Sequence, residues 1–249
     1  RNSNFFGAYS YLTGIIDYQF SAFQYAGFAA RSFGSLERFR SYGASISSQY
    51  PFDLFNRAEL NLTFYNLSKA EIGLVGIPEV TRTLVVPEFK YVHDDVLLGL
   101  YGPSEGTRYN FRALMSPKIF DDGLNFYTFE TDIRSYHPVT DFMGFAFKFT
   151  GGASFGTNAQ NFYLGGTENW LNRTFTNNTL PFENPEDFAF MNFKYPLRGF
   201  SIAQKGGTKY FVTNAEFRFP LLTALVAGPL PILIQGVMGS VFLDVGAAW

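Results

Sequence analysis

Two short blocks far apart in the chain carry the residues best suited to a fixed polar contact. Pro196-Leu197-Arg198-Gly199-Phe200 ends a long stretch without strand alternation. Phe242-Leu243-Asp244-Val245-Gly246 lies inside an alternating stretch near the end of the chain, and Asn214-Ala215-Glu216-Phe217-Arg218-Phe219-Pro220-Leu221 lies between them. A guanidinium takes a carboxylate through two parallel hydrogen bonds, which fixes orientation as well as distance. Buried without one, it carries a desolvation cost of roughly several kcal/mol. Over 235–248, Val237, Val241, Leu243 and Val245 share one strand face, so Asp244 shares the other with Ser240 and Phe242. Gly199 would let the backbone pass close to a neighbouring wall, and Phe200 could pack beside the arginine. The residues alone equally allow an ordinary surface arginine at a turn before a strand.

Other groupings suggest bond chemistry less well. Gly152-Ala153-Ser154-Phe155-Gly156 matches a nucleophile-elbow string, but that motif needs a strand-to-helix turn in an α/β fold, and no helix pattern follows. A strand end with small residues is the better reading of Ser154. His93-Asp94-Asp95 could form a metal corner, yet the chain has 2 histidines and no matched ligand spacing, so a solvated strand end is favoured. Asn177, Glu183, Glu186 and Asp187 carry oxygens suited to calcium, with a hydrated polar loop as the default. No catalytic residue, metal or cofactor is expected.

The elements that must position Arg198 and Asp244 are strands. Aromatics are dense, with 31 Phe and 15 Tyr, and they alternate with polar residues instead of clustering in runs. Phe211, Thr213, Ala215, Phe217 and Phe219 fall on one face, with Asn214, Glu216 and Arg218 on the other. Arg108, Asn110 and Arg112 oppose Tyr109, Phe111 and Ala113, while Glu130, Asp132 and Arg134 oppose Phe129, Thr131 and Ile133. Arg57, Glu59, Asn61 and Thr63 oppose Ala58, Leu60, Leu62 and Phe64; Phe145, Phe147 and Phe149 oppose Ala146, Lys148 and Thr150. The pattern predicts strands at 4–13, 16–26, 36–48, 56–66, 83–95, 107–118, 124–136, 142–154, 209–221 and 235–248. Connections at 67–82 and 156–208 are long. Turn residues at Asp121-Asp122-Gly123 and Gly102-Pro103-Ser104-Glu105-Gly106 mark short ones.

A soluble sandwich also alternates, but its polar face is solvated and rich in Lys and Glu. Here one face is aromatic and the other mixes Arg, Glu, Asp and Asn, which suits pairing across a lumen. That is the apolar-out, polar-in pattern of a transmembrane β-barrel. No run of about 18 apolar residues exists, so a membrane would be crossed by strands closed into a barrel. Net charge of −2 gives no footprint for nucleic acid, and the absence of cysteine excludes a disulfide framework. The chain begins at Arg1 without a leader and is read as a mature or truncated segment. Trp170 and tyrosines near strand ends suit interfacial anchors, or equally packing within the loop.

The order of the three blocks resembles the outer-membrane assembly-factor superfamily, the BamA- and TamA-type barrels and their two-partner-secretion relatives. The resemblance implies that the 156–208 loop, sixth among the extracellular loops in family order, folds back into the lumen. Its tip (Leu197, Arg198, Gly199, Phe200) would meet the wall block (Phe242, Asp244, Gly246), with Asp244 as the partner of Arg198. Phe162-Tyr163-Leu164-Gly165-Gly166 looks like the family's entry into that loop, and Thr167 to Pro196 departs from the family as an insertion, read as an extracellular excursion. Glu216, Arg218, Glu130, Asp132, Arg134, Arg108 and Arg112 would be lumen charges.

Family barrels have sixteen strands, and about ten are read here, so residues 1–249 form a partial barrel lacking three strands at each end. Tyr50-Pro51-Phe52-Asp53 and Leu100-Tyr101-Gly102-Pro103 are weakly similar to barrels fused to periplasmic propeller or peptidase-like domains. The resemblance implies a non-enzymatic bacterial outer-membrane protein that inserts or exports other polypeptides. Its partners would be membrane lipids, client polypeptides and periplasmic or surface complex subunits. Two other readings are an anchor or scaffold barrel within a larger complex, and a plain diffusion channel.

Overall fold

The computed structural model describes residues 3–30, 36–72, 78–99, 102–167, 183–194, 196–227 and 232–249. Its frame is one antiparallel sheet of ten long strands: β1 (Phe5–Tyr11), β2 (Asp17–Ala30), β3 (Leu36–Pro51), β4 (Asn56–Ile72), β5 (Val80–Asp94), β7 (Gly102–Ser116), β8 (Phe126–Thr140), β9 (Met143–Phe155), β13 (Lys209–Ala227) and β14 (Ile232–Ala248). Each strand pairs with its neighbour in chain order, with β9 meeting β13 across the long loop. A short β6 (Leu97–Gly99) forms a hairpin with the start of β7. The ten strands sit where alternation predicts them, eight before the long loop and two after it.

The outward face carries the rings. Phe89, Phe111, Phe129, Phe145, Phe147 and Phe149 are each exposed, a contiguous apolar band of the kind that marks a membrane or partner surface. The inward face carries Glu59, Glu88, Lys90, Arg112, Glu130 and Asp132, which pair with one another or with neighbouring charges across the strands. One register explains both: Arg112 lies opposite Glu130, and their outward neighbours Ala113 and Phe129 lie opposite each other.

Several strands exceed the roughly 9–11 residues needed to cross hydrocarbon; β4 has 17 and β13 has 19. The extra length of β4 lies at the end that also carries the long loop. There the inward face turns apolar: Phe39, Leu67, Leu84, Leu124 and Phe126 are almost fully buried. A six-residue helix, α1 (Pro185–Phe190), covers them. Phe190 packs edge-on against Tyr65 and Phe126, and Phe188 stacks on Phe39. A small second sheet lies nearby, with β10 (Phe162–Leu164) between β11 (Asn192–Lys194) and β12 (Lys205–Gly207).

Three sequence expectations change. The 67–82 connection is mostly strand, because β4 runs to Ile72 and β5 begins at Val80. Gly102 to Gly106 is the start of β7, not a turn. Gly102 and Gly106 have φ of 112° and 101°, and they accompany a register shift against β6; glycine here marks an irregular strand edge. The 156–208 stretch has its own sheet and helix, and residues 183–194 lie on the inward face of the large sheet instead of outside it.

Candidate functional site

The loop tip meets the wall where β13 and β14 pair. Period two points Asn214, Glu216 and Arg218 of β13 inward, and the antiparallel register sets Asn214 opposite Asp244 and Glu216 opposite Phe242. Arg198 enters this corner. Its Nε donates to Asp244 Oδ2 and its Nη2 to Oδ1, both at 2.6 Å, the two-bond fork that suits guanidinium and carboxylate. The Arg198 backbone N–H donates to Asp244 Oδ2 at 3.0 Å, and Asn214 Nδ2 donates to Oδ1 at 2.7 Å. Asp244 thus accepts four hydrogen bonds with its side chain only 3% exposed.

Arg198 has more than the one expected partner. Its Nη1 lies 2.8 Å from Glu216 Oε1, while Glu216 Oε2 receives both Nε and Nη2 of Arg218. Two arginines and two carboxylates leave the corner formally neutral, which limits the cost of holding them together. The guanidinium also lies over the face of Phe242, with Cζ 3.4 Å from the ring centre. Phe200, expected beside the pair, is exposed instead, and Phe242 supplies the ring.

The two motif glycines have different reasons. A Cβ on Gly199 would meet nothing within 4 Å, so close approach is not its role; its φ of 86° is what an L-residue resists. Gly246 is the close-approach position, since a Cβ there would lie 3.3 Å from Leu197 Cδ1. Leu197 is 2% exposed and packs with Phe162, Leu164, Tyr210 and Val212.

Loop entry and tip are direct neighbours. The Gly166 N–H donates to the Leu197 carbonyl at 3.1 Å, and the Leu197 N–H donates to the Gly166 carbonyl at 3.0 Å. The insertion therefore leaves and returns through one closed neck, and Asn214 Nδ2 also donates to the Pro196 carbonyl at 3.0 Å.

The remaining lumen charges form separate wall groups. Arg112 bridges Glu88 at 2.7 Å and Glu130 at 3.2 Å. Asp132 holds Arg134 at 2.7 Å and accepts from Thr150 Oγ1 at 3.1 Å. Arg108 stands apart from both, 3.5 Å from Asp94 and nearly half exposed. Sequence reasoning missed Lys194, whose Nζ sits 3.0 Å from Glu130 Oε1, because Asn192-Phe193-Lys194 has no motif and its strand has 3 residues. It quoted Asn214 without assigning it a role; sharing parity with Glu216 was the available signal.

The groupings considered for bond chemistry are used structurally. Ser154 Oγ accepts from Thr128 Oγ1 and from the Gln160 N–H, both at 2.9 Å. His93 bonds Asn56 and stacks on Tyr109. Asp187 accepts the N–H groups of Glu183 and Asn184 ahead of α1, and Glu186 faces Arg82 at 3.7 Å. Among the described residues no His, Asp and Glu group has an arrangement able to hold a metal. Trp170 and Asn177 lie outside the described residues.

Burial pushes the Glu186 carboxyl above its ordinary range. A raised folded pKa favours the protonated form, so α1 docking should be firmest below the usual Glu pKa and weaken as pH rises through the raised value. Limited proteolysis of residues 183–194 should therefore slow as pH falls from neutral towards 4, and Glu186→Gln should flatten that dependence. A pH dependence that survives the substitution would assign it to another group.

Searching curated proteins with the sequence finds no match. Among solved structures, the chain is similar to BamA from Haemophilus ducreyi lacking POTRA domains 1–3, with a TM-score of 0.69 and 16% identity. That likeness covers 99% of this chain and 49% of that one, so the chain spans about half the length of the BamA structure it matches. At this identity the similarity speaks to fold alone, the antiparallel all-β sheet of an outer-membrane barrel. The family model for the Omp85 superfamily domain matches residues 99–249, more than half of the chain, including both the Arg198 tip and the Asp244 wall block. The chain belongs to the Omp85 superfamily.

Proposed function

We propose that this chain is the barrel of a bacterial outer-membrane factor that inserts or exports other polypeptides. The observation that carries the reading is the corner in which Arg198, held by Asp244 and Glu216, ties the lumenal loop to β13 and β14 within the matched region. No bond chemistry is involved. The tether keeps the loop and this wall as one rigid piece, so strain from an inserting strand is carried by a weaker seam elsewhere in the barrel. Membrane lipids contact the aromatic face, and the partners are client polypeptides together with periplasmic or surface subunits.

A second reading is an anchor or scaffold barrel in a larger complex, without insertase activity. It is favoured by the insertion, whose return limb packs α1 against β3, β4 and β5 and sets Lys194 against Glu130 of β8. Depleting the protein and quantifying the outer-membrane proteome separates general assembly from these narrower roles. General assembly is expected to lower many unrelated barrels together. Loss of one exported protein or one complex, with the other barrels at normal levels, would reject general assembly in favour of dedicated export or scaffolding.

A further inference from the structure

The outward face of the sheet has a recess in its aromatic band and, further along β3, two cations that the lumenal corner does not use. The recess, of about 540 Å³, is lined by Ile46, Leu62, Pro87, Phe89, Ala113 and Phe129. Two rows of the sheet shape it. Phe89, Ala113 and Phe129 lie side by side across three strands, so a lone methyl stands between two rings. In the next row Leu62 lies opposite Pro87, which has no N–H to offer β7, and the β5–β7 ladder starts one residue later, at Glu88 with Leu114.

From the recess, β3 runs towards the end of the sheet that carries the long loop. Its outward residues in that direction are Ile46, Ala44, Tyr42, Arg40 and Arg38. The opposite end has the short turns 12–16 and 52–55, and in bacterial barrels short turns are periplasmic and long connections extracellular. The apolar band on β3 therefore stops at Tyr42 on the outer-leaflet side, and two arginines follow it. Neighbouring strands turn polar in the same rows: Asn66 and Thr83 lie beside Tyr42, and Ser68 and Thr81 beside Arg40. Two acids stand near this rim. Asp122 accepts from Thr83 Oγ1 at 3.0 Å, while Glu79 stays 3.7 Å from Arg38, longer than a hydrogen bond.

We propose that Arg38, Arg40 and the recess bind one membrane lipid with an anionic, phosphate-bearing headgroup: the guanidiniums take the phosphate, and an acyl chain lies in the recess. The fork of an arginine matches phosphate oxygens two at a time, and basic residues at the membrane surface select anionic over zwitterionic lipid. The spacing fits one leaflet. Arg40 and Ile46 are six residues apart. That is about 20 Å along a strand and, at a tilt of about 40°, about 15 Å in depth, half of a hydrocarbon core of ~30 Å. The site rests on the reading of the aromatic face as membrane-facing, and it adds which lipid that face selects.

The test is native mass spectrometry of the purified full-length protein released from mixed micelles. These hold equal amounts of phosphatidylglycerol and phosphatidylcholine with identical chains. Heat-modifiable migration and insertion into phosphatidylcholine vesicles are checked first; failure there would reject the membrane-barrel reading itself, whatever the lipid preference. Wild type is expected to retain phosphatidylglycerol severalfold over phosphatidylcholine. Arg38→Gln with Arg40→Gln should bring the ratio near one, and Lys205→Gln, which removes an exposed charge elsewhere, should leave it unchanged. Ala113→Phe, which fills the recess, should lower retention of both lipids. Inorganic phosphate in large excess should not displace the lipid, whereas displacement would mean a site for the free anion and overturn the proposal. Equal retention of the two lipids by wild type, a preference that survives the double substitution, or undiminished retention in Ala113→Phe would overturn it as well. If the double variant does not fold, Arg40→Gln alone is read by the same ratio.

Discussion

Arg198→Ala is expected to lower barrel stability by about 2–3 kcal/mol, since removing one member of a largely buried pair strands the other. Asp244 would keep only the Asn214 amide and the backbone N–H at position 198, and Glu216 would keep Arg218. Asp244→Ala should cost at least as much, because it leaves Arg198 leaning on Glu216 alone and removes an acceptor of four hydrogen bonds. The double variant should cost less than the sum, with a coupling of at least about 1 kcal/mol. The charge swap Arg198→Asp with Asp244→Arg should recover only part of the loss. The new carboxylate at position 198 would face Glu216, and Asn214 would keep only the Pro196 carbonyl as acceptor. Urea unfolding in detergent or lipid, following the shift from folded to unfolded gel migration, measures all four species. A coupling indistinguishable from zero would sink the idea that the two residues act as a latch.

Gly165→Ala is expected to be as damaging, at about 3 kcal/mol, although it touches no charge. Gly165 sits at φ 128°, and a Cβ there would run into the Ser201 carbonyl oxygen, which belongs to backbone that cannot swing aside. Ser201 follows the Arg198 tip, and Gly165 adjoins Gly166 at the neck, so the collision would wedge loop entry and exit apart. Gly199→Ala is the control. It has a positive φ but open space, and should cost only about 1 kcal/mol. The same unfolding measurement applies, with protease sensitivity of the loop as a second readout. Equal effects at the two glycines would mean that backbone conformation, and not close approach, governs the neck.

These expectations show what alternation could and could not convey. Strand alternation sets the inward face, and that alone sends Asp244, Glu216, Arg218, Glu130 and Arg112 to one side of the sheet. It says nothing of which inward residues meet, because that depends on stagger between strands distant in sequence. Thus Glu216 was legible as a lumen charge but not as the second partner of Arg198. Phe200 was read as the packing ring from its place in the motif, whereas the register of β14 presents Phe242 instead. Gly199 was read as a close approach, but a glycine letter cannot distinguish an unusual φ from a lack of space.

The sequence by itself determined the ten strands, their faces, the length of the long loop and the motif blocks, because period two and turn chemistry are local properties. Only the tertiary structure decided that Gly166 and Leu197 close the neck of the insertion, that α1 covers the apolar end of the inward face, and that Lys194 reaches Glu130. Each of these joins residues some thirty to well over a hundred positions apart, or short elements of 3 to 6 residues with no period of their own. Their positions follow from what the large sheet leaves unburied and unpaired, and that is settled once the whole wall has formed.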